Sequence, residues 1–186
     1  MLNIILCIVL IFFIWIANVN FIYQGFKNQI WSEFFIHTGF VIFFTLLVSE
    51  ITLGSLHIWS KGNIGFLTII GIALFIPSIY FLFSSMRMLK SEGKPNGSDR
   101  YGTTKLVDQG IYSIIRQPMT LGMALWSLAL IFLFQSIFSL VLGGIAIFFF
   151  WMSARMELNY NIKKFGDRYR KYADQVPMWN FFLKKK

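Results

Sequence analysis

At 186 residues, with 56% hydrophobic side chains, 19% aromatic and only 13% charged, the chain is too apolar for a water-soluble domain. Its single cysteine, Cys7, excludes an internal disulfide, a cysteine-rich metal site and a redox pair. The net charge of +9 sits on so apolar a background that it describes a membrane protein with a basic face attracted to anionic lipid, with no nucleic acid implied.

Apolar runs at 2–23, 34–59, 64–89, 118–134 and 137–156 predict a bundle of about five transmembrane helices, since roughly 20 helical residues cross about 30 Å of hydrocarbon. No β-barrel alternation is present, so the fold class is all-α. The first run lacks a basic n-region and a small-residue cleavage site, and is expected to be retained as a span. In the second run Glu33 and His37 stand at i, i+4 near one end, and Glu50 and His57 stand toward the other. Ionisable groups at membrane depth are either functional or paired within the bundle. Glu33 and His37 are placed to meet an acceptor substrate or to anchor the helix end.

After the third run the chain turns polar in KSEGKPNGSDRYG (90–102), a flexible excursion suited to a lid or a solvated linker. LVDQGIYSIIR (106–116) is expected to restore helical character before the fourth run begins at Pro118. The fourth and fifth runs are separated only by Gln135 and Ser136, which predicts a tight hairpin. Beyond it, Leu158, Ile162, Phe165, Tyr169 and Tyr172 share one helical stripe and Glu157, Asn161, Lys164 and Arg168 the next, predicting an amphipathic helix continuing from the fifth span. Such a helix can also lie at the membrane interface with its bases on phosphates.

Five of the 17 basic residues lie between the third and fourth runs and eight in the tail, with Arg87 and Arg155 at the adjoining ends of the third and fifth runs, leaving Lys27 and Lys61 after the first and second. With five crossings the 90–117 loop and the 157–186 tail share one side, opposite Lys61. By the positive-inside rule that side is cytosolic and the N-terminus is outside. The chain is expected to be one membrane domain over 1–186: three N-terminal spans (1–89), a cytosolic loop (90–117), a helical hairpin (118–156) and a cytosolic tail (157–186).

Two segments carry a resemblance. LVDQGIYSIIRQPMTLG (106–122) is similar to the L-V, G-x-Y and R-H-P pattern, followed by an apolar helix, of the isoprenylcysteine carboxyl methyltransferase and phospholipid methyltransferase superfamily. RMELNYNIKKFGDRYRKYADQVP (155–177) resembles its acidic pair, F-G, paired tyrosines and closing V-P. The resemblance covers about the C-terminal half. It implies S-adenosylmethionine as cofactor, bound where the two motifs meet, with Arg116, Gln117 and Glu157 at the centre. Glu157 suits the ligand's ammonium. Arg116 and the helix start at Pro118 and Met119 suit its carboxylate, because first-turn amides are unpaired. Tyr112, Tyr169 and Tyr172 offer aromatic walls for adenine and sulfonium. Three positions depart from the pattern: Gln117 replaces the histidine, Leu158 the second acid and Thr120 a tyrosine. Asn161 is placed to substitute for the lost acid.

The implied activity is methyl transfer to a hydrophobic, membrane-partitioned or lipidated acceptor, with membrane lipid as the surroundings. An amide at 117 cannot take a proton. A carboxylate is already ionised at neutral pH and a thiol of pKa about 8.5 is partly so, whereas a protonated amine must lose a proton first. A prenylcysteine-type carboxylate or a thiol is therefore favoured over a phospholipid amine. Two alternatives remain: a sterol-reductase-type enzyme whose NADPH phosphate would meet Lys163, Lys164 and Arg168, and a non-catalytic scaffold with a lipid-binding basic face.

Overall fold

The computed structural model describes residues 2–94 and 103–180. Most of the 90–102 excursion, including residues 95–102, lies outside them. Six α-helices appear, α1 (Leu2–Lys27), α2 (Trp31–Thr52), α3 (Gly65–Ser91), α4 (Pro118–Phe134), α5 (Ile137–Phe165) and α6 (Asp167–Gln175), with short 3-10 turns at Gly54–Leu56 and Gly110–Ser113. Among the described residues there is no β-strand, only an isolated bridge between Lys61 and Ser136.

Among the described residues, length and composition make four segments able to cross a membrane: Leu2–Lys27, Trp31–Leu56, Gly65–Ser91 and Ile137–Phe165. The fourth expected span has the boundaries expected, but its 17 residues rise about 25 Å at 1.5 Å per residue. That is short of the roughly 30 Å of hydrocarbon. Instead of facing lipid all round, α4 buries nine of its residues, Pro118 among them. The molecule is an all-α integral membrane bundle.

The helices pack in the order α1, α2, α5, α4, α3. Small residues allow the close approaches, as is usual where helices pack within lipid. At α3–α4 the Ser78 hydroxyl donates to the Gly122 carbonyl at 2.7 Å, and a Cβ at Gly122 would stand 3.0 Å from the Ser78 carbonyl oxygen and the Leu82 Cγ. At α2–α5 the Ser153 hydroxyl donates to the Ser32 carbonyl at 2.8 Å. Phe43, Leu46, Leu82, Met123, Ala124, Leu130, Ala146 and Phe150 form the shared core of α2 to α5. By contrast α1 touches the bundle along α2 and presents most of its apolar side chains outward, as a lipid-facing helix does.

The Gln135–Ser136 turn is as tight as the sequence predicts. Gln135 takes a left-handed conformation, and Ser136 caps α5 by accepting from the Ser139 amide at 2.8 Å. At the same end lies Glu50, fully buried and answered on every side. Lys61 Nζ is 3.0 Å from its Oε2, Trp59 Nε1 donates to it at 3.2 Å, and the Ser136 hydroxyl donates to Oε1. Of the two roles open to Glu50, pairing within the bundle is the one the structure shows.

Two expectations change at the opposite end. The 106–116 segment is not helical beyond one 3-10 turn, because Gly110 is left-handed (φ 58°) and abuts Met88 of α3. Val107, Ile111 and Tyr112 pack instead against Phe81, Met88 and Leu89. The tail helix is also not continuous: α5 runs on to Phe165, then Gly166 (φ 63°) breaks it before α6. The predicted stripe survives the break, since Leu158, Ile162 and Phe165 pack against Tyr169, Tyr172 and Val176.

Candidate active site at the two-motif junction

The start of α4 is fastened to the chain's last described residues. Arg116 donates its amide to the Pro177 carbonyl at 2.9 Å, and Gln117 donates to the Met178 carbonyl at 3.2 Å. Arg116 Nη1 donates to the Ala173 carbonyl at 2.8 Å, and Trp179 Nε1 donates to the Thr120 hydroxyl at 3.1 Å. Residues 173–179 thus strap both motifs together. The V-P signal marked this strap in the sequence, but Trp179 was not singled out there; its anchoring needs Thr120, one of the departures from the family pattern. Trp179→Ala is expected to weaken ligand binding about tenfold by loosening Arg116, at the ~1–1.5 kcal/mol typical of one hydrogen bond; isothermal titration of the variant checks it.

A cavity of about 400 Å³ opens beside this junction, within the roughly 300–1,000 Å³ typical of small-molecule sites. Its polar end holds Tyr112, Arg116, Gln117, Glu157, Asn161, Tyr169 and Tyr172, and Met119 also lines it. Pro118 is buried at the first position of α4, where its fixed φ suits a helix start and its missing N–H costs nothing. No side chain caps this helix, so the amides of Met119 and Thr120 remain as first-turn donors.

The two charged groups do not neutralise each other. Among the described residues no ion pair joins Arg116 to Glu157, although both line the cavity, and the buried Arg116 Nε has no hydrogen-bond partner. Asn161 Nδ2 donates to Glu157 Oε1 at 3.1 Å, and Gln117 stands close enough to interact with both that carboxylate and the Tyr169 hydroxyl. Leu158, at the second acidic position of the pattern, packs in the tyrosine cluster rather than on the cavity wall, so its lack of charge leaves Glu157 as the cavity's carboxylate on α5. A separated guanidinium and carboxylate, one with an orphaned donor, fit a zwitterionic amino-acid group lying between them.

The three tyrosines are buried and stay protonated. Burial, and next the Glu157 carboxylate, raise the Tyr112 phenol well above its ordinary range; the same two causes push Tyr169 up to about 12. Tyr172 is raised by burial and then by its neighbours Tyr169 and Tyr112, and its hydroxyl donates to the Tyr112 carbonyl at 2.6 Å. They offer aromatic faces and neutral hydroxyls, not phenolates.

A second, apolar arm runs from the polar end between α2 and α3, which make no packing interface with each other. Phe40, Phe43, Phe44, Leu82, Met123 and Trp126 line it, and the exposed Phe83 and Met86 at its rim carry it to the outer surface of the bundle. Composition gave no sign of this arm, because its aromatic residues are indistinguishable from core in a chain this apolar. Glu33 and His37, from a segment outside either motif, are also on the cavity wall. The basic trio Lys163, Lys164 and Arg168 does not converge: Lys164 reaches the cavity, while Arg168 pairs with Asp108 at 3.4 Å beside a separate surface pocket.

A family model described as phospholipid methyltransferase matches residues 66–168, more than half the chain. The chain belongs to this family. The match takes in α3, α4 and α5 with Arg116, Gln117, Glu157 and Asn161, and leaves α1, α2 and the C-terminal strap outside it. No curated protein and no solved structure matches the chain. This phospholipid methyltransferase family member is therefore an integral membrane methyltransferase whose family-matched region and strap meet at one cavity.

Proposed function

We propose that this family member transfers the methyl group of S-adenosylmethionine to an acceptor with a hydrophobic tail. The observation that carries the reading is the division of one cavity into a polar end with separated opposite charges and an apolar arm that reaches the lipid-facing surface. Arg116 and the first-turn amides of α4 would hold the donor's carboxylate, and Glu157, oriented by Asn161 and Gln117, its ammonium. Tyr112, Tyr169 and Tyr172 would wall the adenine and the sulfonium. When bound, the sulfonium supplies an electrophilic methyl group.

The chain's own work is then alignment and exclusion of water, which an in-line displacement chiefly requires. The acceptor's tail lies in the arm between α2 and α3, and its head group meets the polar end. The site end of the bundle is cytosolic in this reading, Lys61 lies on the opposite side, and the chain acts as one membrane unit. The dispersed trio Lys163, Lys164 and Arg168 disfavours a nicotinamide phosphate site.

S-adenosylhomocysteine is expected to raise the melting temperature of the purified protein and NADPH to leave it unchanged, because a ligand stabilises only the state that binds it. Stabilisation by NADPH alone would reverse the choice between transferase and reductase. Stabilisation by neither would favour a scaffold.

A further inference from the structure

The family match leaves α2 out, yet α2 places an imidazole on the cavity wall with its tautomer set by α1. Asn18 donates its Nδ2 to the Ile14 carbonyl at 2.9 Å, so its Oδ1 is the atom turned to His37 Nδ1, 3.0 Å away. An amide oxygen only accepts, so Nδ1 carries the proton and Nε2 keeps its lone pair. The ring is also held in plane by stacking on Phe21, with centroids 4.5 Å apart and 9° between planes. Asn18 and Phe21 are not part of the cavity lining, whereas His37 is. The Nδ1 edge is spent on α1, and the ring's remaining polar atom is Nε2.

We propose that His37 is the general base that takes the proton when the acceptor of the methyl transfer is a protonated lipid-borne amine, with Asn18 as its positioning residue. This rests on the methyltransferase reading above. It also places a proton acceptor on α2 in a chain whose R-Q-P motif has none at Gln117. The ammonium of the acceptor gives one proton to His37 Nε2. The freed nitrogen lone pair forms the N–C bond to the methyl of the sulfonium donor as the C–S bond breaks, its electron pair staying on sulfur. The products are a methylated ammonium, a neutral thioether and an imidazolium that returns its proton to water. Glu33, one turn before His37, Arg116 at the α4 start, and Glu157 and Lys164 on α5 line the same cavity; of these groups His37 is the imidazole, and its Nδ1 is met by the Asn18 amide oxygen.

The test uses the full chain in vesicles containing phosphatidylethanolamine. His37→Gln is expected to lower kcat for amine methylation on the order of a hundredfold at neutral pH, the scale of general-base catalysis, with partial recovery as rising pH deprotonates the amine unaided. Its affinity for S-adenosylhomocysteine should match that of wild type, which also certifies folding. A kcat loss below tenfold, or no amine turnover by wild type that binds S-adenosylhomocysteine, overturns the proposal; absence of that binding in wild type overturns the methyltransferase reading instead. A second readout does not depend on activity or on the variant's folding. The chain has two histidines, and with His57→Gln as the assignment control, ¹⁵N spectra should show His37 protonated on Nδ1 in wild type and shifted toward the Nε2–H tautomer in Asn18→Ala. An Nε2–H tautomer in wild type overturns the proposal.

Discussion

Replacing Glu157 or Arg116 with alanine is expected to weaken binding of S-adenosylhomocysteine by about 2–5 kcal/mol each, a loss of roughly 30- to 4,000-fold. The ligand keeps the ammonium and carboxylate of the methyl donor, so either substitution strands one charged end in a partly desolvated pocket. Glu157 already has Asn161 on one oxygen, and its removal leaves that amide without its acceptor as well. Arg116 is tied by Nη1 to Ala173 while its buried Nε has no partner among the described residues, so the side chain is held in place with a donor to spare. Lys171 is exposed and off the cavity, and Lys171→Ala should leave affinity unchanged. Isothermal titration calorimetry of the three variants measures it. Equal, small effects at all three would mean that the polar end does not hold this ligand.

At the other end of the bundle Lys61→Ala is expected to destabilise the fold by about 3 kcal/mol, the lower end of what breaking a buried ion pair costs, because Lys61 is itself 31% exposed. The substitution leaves the fully buried Glu50 carboxylate with only the Trp59 and Ser136 donors. Lys61 and Trp59 tie the end of α2 to the α2–α3 connection and Ser136 ties it to the α4–α5 turn, so losing the ion pair weakens a cluster at which these segments meet. Adding Glu50→Gln should return part of the stability by removing the stranded charge. Melting temperatures of the single and double variants in one detergent decide it, and a single variant that melts with wild type would show that the pair contributes nothing.

The spans were legible because twenty-odd apolar residues in succession have few readings, and the Gln135–Ser136 turn was legible because nothing longer fits between two such runs. Arg116, Gln117, Glu157 and the tyrosines stand together in the structure because both motifs flank one hairpin, and a short loop leaves little choice of partner. The helix expected over 106–116 was not found, since a left-handed Gly110 and packing on Met88 outweigh its apolar spacing. Likewise Gly166 interrupts the tail while preserving its stripe, a break that periodicity alone does not register. The short α4 was harder to anticipate, because its composition is that of a span and only its burial shows that helices surround it. Asn18 and Trp179 escaped notice for a common reason: each acts through a contact 19 or 59 residues away, and neither spacing leaves a local pattern.

The most direct measurement of the central claim is methyl transfer itself. Purified protein is incubated with methyl-labelled S-adenosylmethionine and vesicles of membrane lipid, and label is then counted in the organic phase. The account predicts label in a lipid product from wild type and its near-complete loss in Glu157→Ala and Arg116→Ala. Binding of S-adenosylhomocysteine with no label transferred to any lipid, or undiminished transfer by both variants, would contradict it.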